Sequence, residues 1–377
     1  MPNPNVVVSR VVRFDPPLDR APAEMLRAAR GVSVELEGGR RVRLDPANPR
    51  SVGLLQILEG LSKHRLPVYL ELDPATSAIT RLLIPHVGRV TDLRPIDDKA
   101  LGVQLERSHG RHTLRHDQPD FAEIEKQLGE AMQSGSPVIL TEDDAHNIID
   151  VRAYRPGPDG PVPPFPKPEP PPPRIPWILR WIRKLFGWMW HWLWCRWWWF
   201  GWVSQTRAQQ VFDVMNATSC DPLTVPAPCI PFLYPDDGCW ARAHEMCRLM
   251  INMGLSPTKV WIQGALYVST RNNPSCGVWW GWHVAPTLCV RGPRFFQTQR
   301  MVIDPSLFTT PVSKATWKGI QGDINATLTD TDAAIYYLWG SVTDPTYSAT
   351  NYYLAFYRLQ LQNRALQNGA PPYANCP

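Results

Sequence analysis

The sequence predicts an α+β protein in two parts: a small mixed α/β domain, then a larger domain in which a helix lies on antiparallel strands. Three observations carry this expectation. A proline-dense stretch at 156–176 divides 377 residues, too many for one small core, into two halves. Residues 1–155 alternate apolar and polar positions, interrupted by short segments of helical periodicity. Beyond the divide, the run DDGCWARAHEM starts a helix at Cys239, and alternating segments follow it.

The first half reads element by element. MPNPNVVVSRVVRF opens as a strand and lacks the positive start and long apolar core of a cleavable signal peptide. VSVELEGGRRVRL (32–44) alternates around Gly38-Gly39, a hairpin signal. SVGLLQILEGLSKH (51–64) has helical periodicity, and PVYLELD (67–73) returns to strand. A second hairpin is expected around Gly110, and FAEIEKQLGEAMQSG (121–135) is a helix ending at its glycine. PVILTEDDAHNIIDVRAY closes the domain as strand and turn, and no catalytic motif is present. His109, His112 and His116 lie close together, but strand spacing sends them to different faces. A solvated hairpin is expected there rather than a metal site.

The proline stretch (156–176) reads as a polyproline II spacer. The run that follows, 177–203, holds ten of the 17 tryptophans, and from Leu185 to Val203 only His191 and Arg196 are strongly polar. That length is about what a helix needs to cross a hydrocarbon core. A signal anchor preceded by Arg180, Arg183 and Lys184, an interfacial helix, and a helix buried against the catalytic half all fit the run. Membrane contact of some kind, with a membrane-associated or exported protein, is the expectation. The net charge of +5 is spread over interspersed acidic and basic residues without a basic block, which argues against a nucleic-acid partner. All eight cysteines lie in the second half, an asymmetry that fits a catalytic half maturing in an oxidising compartment; spacing alone fixes no pairing.

In that half, Asp237 is placed to cap the Cys239 helix and Gly238 to allow a tight entry. Trp240, Ala243, Cys247, Met250 and Ile251 then recur at helical spacing until Gly254. A cysteine attacks as thiolate, and a helix N-terminus with a nearby base favours that form. KVWIQGALYVS (259–269) is a strand; GVWWGWHVAPTLCV (277–290) is a second and carries His283; RFFQTQRMVIDP (294–305) pairs with it and delivers Asp304 at its end. A nucleophile helix packed on antiparallel strands that present a histidine and then an acid is, in outline, a papain- or transglutaminase-like catalytic domain. His244 points about 140° away from Cys239 around the helix and is expected to support structure. Cys247 is expected in the core. Trp240, Trp280, Trp282 and Ser306 stand as candidate substrate-binding residues, with core packing the competing expectation for the tryptophans.

Residues 231–312, from PFLYPDDGCWARAHEM through CGVWWGWHVA to VIDPSLFTTPV, resemble the bacterial protein-glutaminase (protein-glutamine deamidase) family. The DGC-x-ARxHEM entry, the WxxHVA strand and the IDPSLF turn stand in the same order at matching separations. The resemblance extends loosely over 204–377 and leaves out the N-terminal domain, the proline spacer and the tryptophan run. It implies hydrolysis of glutamine side-chain amides in protein substrates to glutamate and ammonia, with no cofactor or metal. It also implies the roles: Cys239 as nucleophile, His283 as general base and acid, Asp304 as orienting acid. A transglutaminase or cysteine protease with the same triad, and a delivered toxin or effector acting on a target-cell protein, are the alternatives.

Overall fold

A computed structural model describes residues 4–28, 31–155, 202–224, 228–272, 277–292 and 297–373. The expected proline spacer (156–176) and all but the end of the tryptophan-rich run (177–201) lie outside these residues. The chain falls into two compact units, 1–164 with 221–225 and 355–377, and 165–220 with 226–354. The C-terminal end groups with the first unit. No helix among the described residues is long and apolar enough to cross a membrane.

The first unit is a tandem repeat. β1 (Val6–Asp15), α1 (Pro22–Ala28), β2 (Val32–Leu36), β3 (Arg41–Leu44), α2 (Ser51–Lys63), β4 (Pro67–Leu72) and β5 (Ile79–Leu83) make the first copy. β6 (His86–Pro95), β7 (Ala100–Leu105), β8 (His112–Arg115), α3 (Phe121–Ser134), β9 (Pro137–Glu142) and β10 (Ile148–Ala153) make the second. Each copy folds one antiparallel sheet, with strand orders β3-β2-β1-β4-β5 and, read from the same end, β8-β7-β6-β9-β10. Registers match residue for residue: Val7 opposes Leu70 as His86 opposes Leu140, and Val42 opposes Val34 as His112 opposes Val103.

α2 packs on the first sheet and α3 on the second. In α3 the spacing of Ile124, Leu128 and Ala131 makes an apolar stripe, which joins Val103, Leu105, Leu114 and Leu140 of the second sheet. Gly135 ends the helix at φ 65, a left-handed conformation that suits a residue without Cβ. The predicted elements are all found. The histidine expectation is not: His109 is fully buried and His112 is 2 % exposed, because His112 and Leu114 alternate inward on β8; His116 alone is exposed.

The second unit contains α4 (Gln205–Ala217), α5 (Cys239–Asn252), β11 (Thr258–Ser269), β12 (Gly277–Arg291), β13 (Thr298–Val302), β14 (Val312–Ser313), α6 (Lys314–Gly319), β15 (Thr327–Asp332), β16 (Ile335–Tyr337) and β17 (Val342–Thr343). The last helix, α7 (Ser348–Asn368), begins in this unit. The main sheet runs β14-β13-β12-β11-β15, all antiparallel, and α5 lies against its central strand β12. Val260, Ile262, Leu266, Trp280, Val302 and Trp317 fill the core under it.

The β11–β12 ladder slips between Gln263 and Leu266, and this bulge sits close to His283, which opposes Ile262. The Ala265 N–H that leaves the ladder donates to Asp323 Oδ2 at 2.9 Å. A Cβ on Gly264 would collide with that oxygen and fall 2.9 Å from the Ala326 methyl. Gly264→Val is therefore expected to destabilise the fold by about 1–3 kcal/mol through overpacking. Urea unfolding should show a lower midpoint at unchanged slope.

Candidate active site

α5 starts at Cys239 directly after Gly238, which sits at φ 82. That backbone conformation explains the glycine, which itself holds the N-cap position. Asp237 stands just before it, and its Oδ1 accepts the Gly238 N–H at 2.9 Å. Arg242, one turn into the helix and buried, reaches back over the same loop. Its Nη1 donates to the carbonyls of Tyr234 (2.9 Å) and Asp237, and its Nη2 to that of Pro235. The arginine of the ARxHEM motif thus pins the segment that delivers the cysteine. Cys247 and Met250 are buried as expected, but Ile251 faces solvent at 49 % exposure.

His283 comes from the middle of β12, and Asp304 follows the end of β13. His283 Nε2 and Asp304 Oδ2 are 2.9 Å apart. The same Oδ2 accepts the Trp317 indole N–H at 2.9 Å, and Oδ1 accepts the Ser306 backbone N–H at 3.2 Å. The imidazole stacks on Trp280 (centroids 4.5 Å, 19° between planes) and on Trp317 (5.5 Å, 28°). Cys239 Sγ and a His283 ring nitrogen lie within 4.8 Å, and the Val284 backbone N–H bonds the sulfur. The three residues expected from the sequence are thus brought together, all at 3 % exposure or less.

Their electrostatics differ from the simple helix-end picture. Burial pushes the Cys239 thiol well above its ordinary value; the Arg242 charge and the Val284 N–H oppose this, and Asp237 adds to it. The sequence expectation that the helix terminus would favour the thiolate is overridden by desolvation. Burial also acts to raise Asp304, but the His283 charge and the hydrogen bonds from His283 and Trp317 overcome it and hold the carboxyl below its usual range.

The four candidate substrate-binding residues are all buried. Trp280 supports the His283 ring and donates its N–H to the Asp236 carbonyl at 3.1 Å. Trp240 donates to the Tyr336 hydroxyl at 2.9 Å and lies beside Trp282 and Tyr353. Trp282 also meets Trp261, Tyr337 and Trp339, and Ser306 serves Asp304 through its backbone. Trp317 was missed by the sequence reading. Its segment, KATWKG, carries no motif, and its role depends on a hydrogen bond that only the fold creates.

His244 points away from the cysteine, as its helical position predicts. Its Nδ1 is 2.7 Å from Lys259 Nζ, which also donates to the Ile335 carbonyl, and Tyr336 and Tyr347 pack on its ring. Burial, then the Lys259 charge, lower His244 to about 3, and burial lowers Lys259 to about 8. The sign follows directly. Below the unfolded histidine value of about 6.5, the unfolded chain binds a proton that the folded chain refuses until about 3, so stability falls as pH drops through this window. Urea midpoints measured from pH 7 to 5 should decline, and less steeply in His244→Gln, which keeps an acceptor for Lys259 but cannot titrate.

Of the described cysteines, Cys220 and Cys229 form a disulfide and Cys289 is disulfide-bonded. Cys239 and Cys247 are free thiols.

Residues 208–321 match the model of a family described as glutaminase, Gln_deamidase_2. No curated protein is significantly similar to the chain. Among solved structures, a pro-protein-glutaminase is 21 % identical over 70 % of this chain and 89 % of its own, with a TM-score of 0.46. A protein-glutaminase is 28 % identical over 47 % of this chain and 95 % of its own, at TM-score 0.35. The protein-glutaminase from Chryseobacterium proteolyticum is 27 % identical over 47 % and 94 %, also at TM-score 0.35. The matched stretch contains Cys239, His283 and Asp304.

Proposed function

We propose that the protein hydrolyses glutamine side-chain amides in protein substrates to glutamate and ammonia, through a Cys239–His283–Asp304 triad on a papain- or transglutaminase-like scaffold. One observation carries the reading. Within the stretch that matches the glutaminase family, a cysteine at the first residue of a helix faces an imidazole whose Nε2 is bonded to a carboxylate.

The chemistry follows from that geometry. Burial keeps the Cys239 thiol neutral at rest, so attack is coupled to proton transfer. With Nε2 held by Asp304, His283 uses Nδ1 to take the thiol proton as Sγ bonds to the carboxamide carbon. Asp304 fixes the tautomer and stabilises the imidazolium; the two indoles restrain the ring. His283 then gives its proton to the departing nitrogen, which leaves as ammonia and breaks the C–N bond. Water, deprotonated by the same imidazole, hydrolyses the thioester to glutamate and restores the thiol. The Cys239 backbone N–H, in the first turn of α5, serves as one oxyanion donor.

The product decides between this reading and other uses of the same triad. Incubation with a glutamine-rich protein should release ammonia and give the amide-to-acid mass gain at each converted glutamine. Ammonia is released in transamidation as well, so the acid product decides: cross-linked or shortened chains without glutamate at the converted positions would reject it.

A further inference from the structure

The first unit holds a buried polar cluster that its fold does not require. In the second repeat, His86 Nε2 lies 3.2 Å and His146 Nδ1 2.9 Å from Glu142 Oε1, and His112 Nδ1 lies 2.6 Å from Oε2. Ligand atoms of His86, His112 and Glu142 all lie within 4.8 Å of one another. Their side chains are only 6, 2 and 8 % exposed, whereas His146 at 22 % marks the solvent side.

The first repeat is the internal control. By sheet register, His86 corresponds to Val7, His112 to Val42 and Glu142 to Leu72, and Val42 and Leu72 are buried. The same module therefore closes with Val, Val and Leu. A buried carboxylate with two imidazoles costs desolvation that those apolar residues avoid, so packing does not account for it.

We propose that His86, His112 and Glu142 form a binding site for a divalent transition-metal ion of the zinc type. Two imidazole nitrogens and a carboxylate oxygen are a donor set that suits such an ion and leaves a fourth position for water. A tetrahedral ion would set neighbouring donor atoms about 3.3 Å apart, within reach of the separations seen here. The outer partners are also in place. His112 presents its other nitrogen, Nε2, to Ser108 Oγ at 3.4 Å, Ser108 continues to the Gly110 carbonyl, and His146 steadies the carboxylate. Metal-bound histidines commonly donate their second N–H in this way. The edge of the Phe356 ring closes the site over His86.

The test uses the full chain carrying Cys239→Ala, which removes the thiol beside His283 as a competing ligand. After loading with zinc chloride and dialysis, metal analysis should find one zinc per chain, and zinc should raise the melting temperature. His86→Val/His112→Val, which places the first-repeat residues at both imidazole positions, should bind zinc at least about a hundredfold more weakly. Absence of retained zinc in the parent, or equal zinc affinity in the valine pair, overturns the site. Should the valine pair fail to fold, cobalt(II) added to the parent decides. An intense visible band displaced by zinc supports the site, and its absence rejects it.

Discussion

Cys239→Ala is expected to lower ammonia release from protein glutamine by on the order of 10⁴-fold or more, leaving only the catalysis that binding and oxyanion stabilisation supply. The loss is large because triad members act as a unit: without Sγ there is no thioester, and His283 has no proton to shuttle. The fold should persist. Alanine is compatible with the helix, and the deletion removes one buried sulfur that accepts from the Val284 N–H. Matching melting temperatures for variant and parent, alongside the lost activity, would separate chemistry from stability.

Asp304→Ala carries the second large effect, and it strikes both. The carboxylate accepts from His283 Nε2, the Trp317 indole and the Ser306 backbone, all inside the protein. Removing it strands these donors, at about 1–3 kcal/mol for each left without a partner. It also removes the charge that stabilises the imidazolium, which should lower kcat by about 10³–10⁴-fold. Asp304→Asn keeps an acceptor in place without the charge. Its melting temperature should recover most of the loss, while kcat stays well below the parent. Equal rescue of both would mean that Asp304 acts through packing rather than charge.

The parts of the molecule that could be read from the sequence are those written locally. Alternation in VSVELEGGRRVRL and the glycine after FAEIEKQLGEAMQS place their elements because side-chain period and backbone freedom are properties of neighbouring residues. Cys239, His283 and Asp304 were legible because each sits in a distinctive run. The repeat was not, since Leu44/Leu114, Pro67/Pro137 and Leu70/Leu140 preserve little beyond apolar character, which recurs in any sheet. β15 escaped notice because TLTDTD is an edge strand held by main-chain pairing to β11, with little apolar content to mark it. His112 read as solvated because its partners, Glu142 and His86, lie 30 and 26 residues away. The thiol's raised pKa was hidden for the same reason: burial is set by the whole fold, whereas the helix end is visible locally.

The most direct measurement traps the covalent intermediate. Wild-type protein is mixed with a glutamine-containing peptide, quenched in acid within the first turnover, and examined by intact-mass and fragment mass spectrometry. The mechanism predicts an adduct of the peptide minus one ammonia, carried on Cys239, released by hydroxylamine and absent from Cys239→Ala. Ammonia release that continues in Cys239→Ala, or an adduct carried on any other residue, would contradict it.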